Sequence, residues 1–201
     1  MTPQFQLFAG NVALDFANTL DYRYEPRKRV ELLPDFASFV AFAVQSGILS
    51  GGEAHHLLAR TRKPDAKRAL QQVLRFREAL YFLFLSVVSG QAPSPSHLRV
   101  YNRCLSEVRV SDSLTWDHPA FVLRAPDVAK SPYGPLRPIM DAANRLLTSP
   151  DRRHIGECSD KTCRWLFLDH SKNHSRRWCS MALCGNRSKA RRFYAQVRRG
   201  A

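Results

Sequence analysis

The C-terminal quarter of the chain contains Cys158-Ser-Asp-Lys-Thr-Cys163 and Cys179-Ser-Met-Ala-Leu-Cys184-Gly-Asn-Arg187. Four of the five cysteines lie in these two C-x4-C pairs, and fifteen residues separate the pairs. Two short knuckles of this kind can bring four thiolates onto one tetrahedral ion, which is the geometry of a structural zinc site. The spacing therefore predicts one structural Zn²⁺ bound by all four cysteines. A histidine could replace one of them, and three lie nearby: His154, His170 and His174.

Most of the excess positive charge lies in the same quarter. The chain has a formal net charge of +14. Residues 152–201 hold 13 Lys and Arg against 3 Asp and Glu, whereas residues 1–151 hold 18 against 14. This asymmetry favours a polyanionic partner, although a basic surface can also be simply solvated. The candidate contact residues are Lys172, Arg176, Arg177, Arg187, Lys189, Arg191, Arg192, Arg198 and Arg199.

The residues after Cys184 predict a helix with cations on both sides of one apolar stripe. We expect this stripe to pack on the zinc module; its members are Ala190, Phe193, Tyr194 and Val197. Such a helix suits phosphate contacts and insertion in a DNA major groove, with Arg187 and Arg191 reaching base edges. Aromatic and arginine side chains would equally serve single-stranded RNA, which is the rival binding function.

The preceding residues predict a helical domain. Apolar residues recur at helical spacing in five segments, near residues 12–20, 36–48, 65–88, 96–108 and 136–147. Residues 114–123 predict a β-hairpin, Phe5–Phe8 a short edge strand and Tyr22–Val30 a loop. The expected fold is therefore mainly α with a small β element (α+β). A helical domain of residues 1–150 is followed by a zinc-bound module of residues 151–201.

Few residues of the helical part suggest chemistry. Asp15 and Asn18 either cap and brace the first helix or edge a pocket for a small-molecule effector. Cys104 falls on an apolar stripe and is expected to be a core thiol. No nucleotide-binding, hydrolase or metalloprotease motif occurs, so we expect the chain not to be an enzyme. An enzyme or ligand-binding protein acting through residues 1–150, with a purely structural zinc finger, is the remaining alternative.

The compartment is predicted from what the sequence lacks. Its start has no positively charged segment followed by an apolar run, as a secretory signal would. The longest apolar stretch, Ala79–Val88, is too short to span a bilayer. We therefore expect no membrane association and a reducing cytoplasm, where cysteine clusters favour metal over disulfides.

Two stretches resemble known families. The run Cys163-Arg-Trp-Leu-Phe-Leu-Asp169, the segment Arg176-Arg-Trp-Cys179 and the final Cys184-Gly-Asn-Arg187 together resemble the CGNR zinc finger. Ala9-Gly10-Asn11 and Leu14-Asp-Phe-Ala-Asn-Thr19 resemble the start of the ABATE domain. That domain precedes this finger in bacterial proteins described as stress-induced transcription regulators. The resemblance implies a zinc-bound module that binds double-stranded DNA and an N-terminal domain that senses a signal or dimerises. A homodimer would suit the reading of paired half-sites.

Overall fold

The computed structural model describes residues 5–108, 113–124 and 127–200. Its helices are α1 Val12–Ala17, α2 Phe36–Gln45, α3 Gly51–Arg60, α4 Lys63–Ser89, α5 Pro95–Glu107, α6 Leu136–Thr148 and α7 Asn186–Gly200. Its strands form antiparallel pairs: β1 Leu20–Asp21 with β2 Val30–Glu31, β3 Ser113–Asp117 with β4 Ala120–Arg124, and β5 Ile155–Glu157 with β6 Leu166–Leu168. The predicted fold class, mainly α with a small β element, is confirmed. Among the described residues, no helix is both long enough and apolar enough to cross a membrane.

Side-chain caps define where the helices begin. The Asn11 side chain accepts a hydrogen bond from Ala13 N, and the Asp35 side chain accepts one from Ser38 N. Ser50 and Glu53 form a reciprocal capping box at the start of α3. These bonds satisfy backbone donors that have no partner inside the helix.

Helix α4 runs through the middle of the core. Its Phe76 ring packs on Phe16 of α1 with ring centroids 6.0 Å apart, and on Tyr101 of α5 at 5.2 Å. Cys104 of α5 is buried, as the sequence predicts for a core thiol. The 27-residue length of α4 lets one helix contact α1, α2, α5, α6 and β5.

One arginine interrupts the apolar face of α4, and the structure explains it. The Arg77 side chain is 3% exposed, and its two terminal nitrogens donate to the two carboxylate oxygens of Glu31 at 2.6 and 2.7 Å. Its Nε donates to Glu78 at 3.0 Å. The buried charge is thus paired in the bidentate geometry that suits guanidinium and carboxylate.

The core continues across residue 150. In β6, Leu166 and Phe167 are 0% and 1% exposed, and they belong to one contiguous cluster with the buried residues of the helices. Strand β6 lies against α1, and β5 lies against α4. The division into separately folding domains at residue 150 stays a prediction.

One local prediction was wrong. Residues 5–8 form no strand, because Phe5 N donates to the side chain of Gln45 at 2.8 Å and the Phe5 ring packs edge-on against Phe42. The predicted loop 22–30 is confirmed up to Arg29, and Val30 is the first residue of β2. Strands of two residues are too short for alternation to reveal them in sequence.

Candidate metal centre and basic helix

The four cysteines of the two knuckles converge. Their sulfurs lie within 4.8 Å of one another, and all four side chains are buried. The Sγ atom of Cys179 is 3.6 Å from that of Cys163 and 3.7 Å from that of Cys184. These separations far exceed the roughly 2.05 Å of a disulfide. They match the ~3.8 Å edge of a tetrahedron whose centre lies ~2.3 Å from each sulfur, as in a zinc–thiolate site.

Backbone hydrogen bonds shape both knuckles. In the first, Cys158 N donates to the carbonyl of Trp165 at 2.8 Å, and Cys163 N donates to that of Asp160 at 2.9 Å. In the second, the Ser180 side chain accepts from Leu183 N at the start of the turn Met181–Gly185. Each knuckle is therefore a closed turn that points its sulfurs inward.

Sulfurs buried this closely require a cation. Contact with the Cys158 sulfur is the largest effect that raises the pKa of the Cys163 thiol, and the same holds for Cys179. Four thiolates cannot be buried together without positive charge between them. The cluster fits a single structural zinc ion, whose four-sulfur shell leaves no position open for a reacting ligand.

The histidines that could replace a cysteine are engaged elsewhere. Within the described residues, the group that could hold a metal contains cysteines alone. The rings of His154 and His174 pack on each other with centroids 3.7 Å apart. His170 lies beside Gly10, where an added Cβ would meet its ring at 3.2 Å. The all-cysteine ligand set is thus the one that the geometry supports.

The aromatic residues near the cysteines pack partly on the N-terminal part of the chain. Trp165 and Phe167 are buried, and Trp178 is partly buried. The indole N–H of Trp165 donates to Asp21 at 3.0 Å, and its ring lies 5.7 Å from that of Phe8. The module therefore shares its small core with the preceding helices.

A buried carboxylate ties the first knuckle to α7. The Asp160 side chain is 0% exposed, and its Oδ1 accepts from Thr162 N and from Arg191, each at 3.0 Å. Arg187 lies 3.5 Å from Oδ2. Burial would raise the pKa of Asp160, but hydrogen bonds from Thr162 and the charge of Arg191 outweigh it and hold the pKa below its ordinary value. The carboxylate therefore stays ionised and fixes the rotation of α7.

Arg187 and Arg191, which the sequence predicts to reach base edges, are held in intramolecular contacts. Their side chains are 34% and 51% exposed. The Arg187 guanidinium also lies over the Tyr22 ring, 5.8 Å from its centroid. In this state both arginines orient the helix.

Arg176 likewise stabilises the fold. Its guanidinium donates to the backbone carbonyls of Phe8, at 3.1 Å, and of Trp178, at 3.0 Å, as well as to that of Cys179. It is thus a partly buried bracket around the second knuckle. Sequence reveals its charge but not these carbonyl partners.

The other predicted contact cations face solvent. Exposed side chains belong to Lys172, Arg177, Lys189, Arg192 and Arg198. The side chain of Arg199 lies outside the described part of the chain. At about 100° per residue, Lys189 and Arg192 are centred roughly 150° around α7 from Arg187 and Arg191. The contact with Asp160 therefore turns Lys189 and Arg192 away from the module.

The expected packing of the α7 stripe on the module was wrong. Phe193, Tyr194 and Val197 are 61%, 65% and 52% exposed. The helix contacts the module through the neighbouring face, which carries Arg187 and Arg191, so the apolar stripe does not pack on the module. An apolar periodicity shows that a face can be buried, but it does not identify what buries it.

Asn18 and Asp15, the candidate pocket residues, instead brace the fold. Asn18 is 2% exposed; its Nδ2 donates to the carbonyl of Leu166 at 2.8 Å, and its Oδ1 accepts from Leu166 N at 2.9 Å. Asp15 accepts from Ala9 N at 2.9 Å. Burial raises the pKa of Asp15 to about 6, against the opposing effects of this bond and of Arg176. Together they join α1 to its neighbouring segments.

Sequence reasoning missed Asp160 as a site residue. It also missed Asp169, which is 5% exposed and accepts from the backbone N–H groups of Ser171 and Arg176, each at 2.9 Å. A usable signal was present, because residues 152–201 contain only three acidic residues among 13 cations. Acidic residues this scarce in a basic module are candidates for structural pairing.

Comparisons with known families agree with this geometry. The family model ABATE, described as "Putative stress-induced transcription regulator", matches residues 10–150, and the CGNR zinc finger model matches residues 154–197. A comparison with curated proteins finds no match. The first model covers more than half of the chain, and the second contains all four zinc-site cysteines. The chain therefore belongs to the ABATE family and carries a CGNR zinc finger at its C-terminal end.

Proposed function

We propose that this protein is a cytoplasmic, DNA-binding transcription regulator that presents α7 to duplex DNA. The observation that carries the proposal is the exposed cationic face of α7. Lys189, Arg192 and Arg198 are exposed, and none has an acidic partner among the described residues. Their charges are available to an external polyanion.

The acidic residues of the module do not neutralise this face. Glu157 pairs with Arg164 at 2.7 Å, and Asp160 pairs with two arginines at the start of α7. Asp169 accepts backbone hydrogen bonds beneath the second knuckle. Because all three carboxylates are engaged inside the module, they offer little competition to phosphates.

The dimensions of α7 suit the DNA major groove. A 15-residue helix is about 22 Å long and roughly 10–12 Å wide with its side chains, close to the ~12 Å width of the groove. Zinc fixes Cys184, two residues before α7 begins, and Asp160 fixes the rotation of the helix. The metal would thus orient the contact surface and take no part in a reaction.

Salt-dependent binding tests this function. Fluorescence anisotropy with labelled duplex DNA should show an affinity that falls steeply as salt increases. Lys189→Gln with Arg192→Gln should weaken binding and reduce the slope of log K against log [salt] by about 2, since each lost phosphate contact removes about 0.9. The matched control is Arg27→Gln with Arg29→Gln, two exposed arginines of the loop before β2. Absence of duplex binding at low salt, or equal losses in both pairs, would contradict the proposal.

RNA binding is the second candidate, favoured by the exposed aromatic pair on α7. The rings of Phe193 and Tyr194 have centroids 5.7 Å apart and lie among cations, an arrangement that could stack unpaired bases. Replacing both with alanine should then weaken binding to single-stranded RNA far more than binding to duplex DNA. Tighter binding of RNA than of duplex at every salt concentration would favour this candidate.

A further inference from the structure

A cationic cleft lies between α4 and α5, in the helical part of the chain. It encloses about 470 Å³. Its polar lining includes Arg68 and Arg75 from α4, Arg103 and Glu107 from α5, and Tyr133 from the segment before α6. Three guanidinium groups thus face one cavity that contains a single carboxylate.

The cleft does not neutralise this charge internally. The Glu107 carboxylate accepts a hydrogen bond from Gln72 at 2.5 Å, and Arg68 donates to Asp65 at 2.8 Å. Within the described part of the chain, the guanidinium groups of Arg75 and Arg103 have neither an acidic partner nor a hydrogen-bond acceptor. By contrast, Arg77, two residues after Arg75 and on another face of α4, is paired with Glu31. The charges of Arg75 and Arg103 are therefore not neutralised by a carboxylate at the cleft.

We propose that this cleft binds a small organic phosphate. The planar donor fork of arginine matches a phosphate or carboxylate group in bidentate fashion, and two such forks suit a dianion. The volume falls within the range of about 300–1,000 Å³ that is usual for small-molecule sites. Val100 and the Tyr133 ring lie at the same cleft and offer apolar contact to the organic part. The proposal goes beyond DNA binding by giving the chain a small-molecule input.

Cys104 marks the base of the cleft. Its side chain is 4% exposed, and burial raises the pKa of its thiol to about 11, although the nearby charges of Arg103 and Arg75 act in the opposite direction. The other four cysteines form the zinc cluster. Because this thiol is buried, it reacts only when this part of the chain opens, so its alkylation reports whether a ligand held by Arg75 and Arg103 stabilises the closed state.

The cleft and the zinc module contact the same helix. Arg75 lies on α4, and Tyr81, fewer than two turns further along, donates through its hydroxyl to the carbonyl of Arg164 at 3.3 Å. Arg164 directly follows the zinc-site residue Cys163. A ligand in the cleft would thus rest on an element that also supports the first knuckle.

Thermal unfolding of the full zinc-loaded chain tests the proposal. The probes are inorganic phosphate and glycerol 3-phosphate, compared with glycerol plus sodium chloride at the same ionic strength. We expect a saturable rise in Tm with glycerol 3-phosphate. Arg75→Gln with Arg103→Gln should raise the half-saturating concentration by about tenfold or more, since charge-assisted hydrogen bonds are lost. Arg60→Gln with Arg99→Gln removes the same charge from exposed positions outside the cleft and should leave the response unchanged.

Alkylation of Cys104, followed by mass spectrometry, supplies a second measurement, that of chain opening at the cleft. Glycerol 3-phosphate should slow the reaction in the wild-type chain and in the Arg60/Arg99 variant, but not in the Arg75/Arg103 variant. The proposal is overturned if no phosphate probe raises Tm or protects Cys104, or if both double variants respond alike. Equal protection by duplex DNA alone would assign the cleft to nucleic-acid phosphates and would also overturn it. Because DNA binding is measured separately, failure here leaves the proposed regulator function standing.

Discussion

Replacing Asn18 with alanine should destabilise the whole chain, because its buried amide joins α1 to the zinc module. The substitution leaves both Leu166 N–H and Leu166 C=O, in a strand residue that is 0% exposed, without their side-chain partner. An unsatisfied buried backbone group costs about 1–3 kcal/mol, so the two together should cost about 2–6 kcal/mol. For a chain of this size, 1 kcal/mol corresponds to roughly 2–4 °C in Tm, so the expected fall in Tm is about 4–24 °C.

Calorimetry or circular dichroism of the zinc-loaded chain measures this fall. Asn173→Ala, at an exposed asparagine of the module, is the matched control and should change Tm by little. Asn18→Asp keeps the acceptor for Leu166 N–H but turns a carboxylate oxygen toward the Leu166 carbonyl. At neutral pH it should therefore also be destabilising. A Tm for Asn18→Ala close to that of the control would refute the bracing role.

The remaining predictions concern the metal, α7 and pH. Chelation of zinc, or Cys179→Ser, should unfold the module and expose amides of β5, β6 and α7 to hydrogen exchange; protection that survives metal removal would contradict a structural ion. Asp160→Asn should retain one zinc per chain but speed amide exchange in the first turns of α7. It should lower the free energy of unfolding by about 1–2 kcal/mol, a modest loss because the arginine partners of Asp160 are partly solvated. The pKa of Asp15 is raised from 3.8 to about 6, so the folded state binds the proton more tightly and the free energy of unfolding should fall as pH rises through this window. Asp15→Asn should flatten the pH dependence of stability, measured by urea unfolding. If that pH dependence is unchanged in the variant, Asp15 is not its cause.

The zinc ligands and the helices were predictable because each depends on a short-range pattern. Two C-x4-C pairs bring sulfurs together whatever the rest of the fold, and a repeat of apolar residues every three or four positions identifies a helix face. The burial of Cys104 followed from its place on such a face. Helix caps depend on equally local chemistry, since the bond from Ser38 N to the Asp35 side chain spans only three residues. Local chemistry decided these features.

Long-range partners decided the features that sequence could not show. Asn18 bonds to a residue 148 positions away, and Arg191 bonds to one 31 positions away. A charge or amide in sequence has no visible partner, so Asn18 could be interpreted as a cap or as a pocket residue, and Arg191 as a base-reading residue. The exposed stripe around Phe193 has the same origin, since helical periodicity describes one element and packing involves two.

The use of two arginines to pair with Asp160 has a physical consequence for recognition. Without that contact, α7 would be held only by the turn that follows Cys179 and by weaker contacts of its arginines with Tyr22 and Thr162, and its rotation would be less firmly fixed before a partner binds. Ordering a flexible element on binding reduces the net affinity. Asp160 orders α7 during folding, before a partner binds. It pairs with Arg187 and Arg191, and Lys189 and Arg192 are then left on the outer side of the helix. Pairing partly neutralises Arg187 and Arg191, which weakens the non-specific attraction of the helix for DNA. Because Lys189 and Arg192 are already oriented, however, they would contact phosphates in one register. Zinc alone cannot achieve this, since it fixes the position where α7 begins but not its rotation.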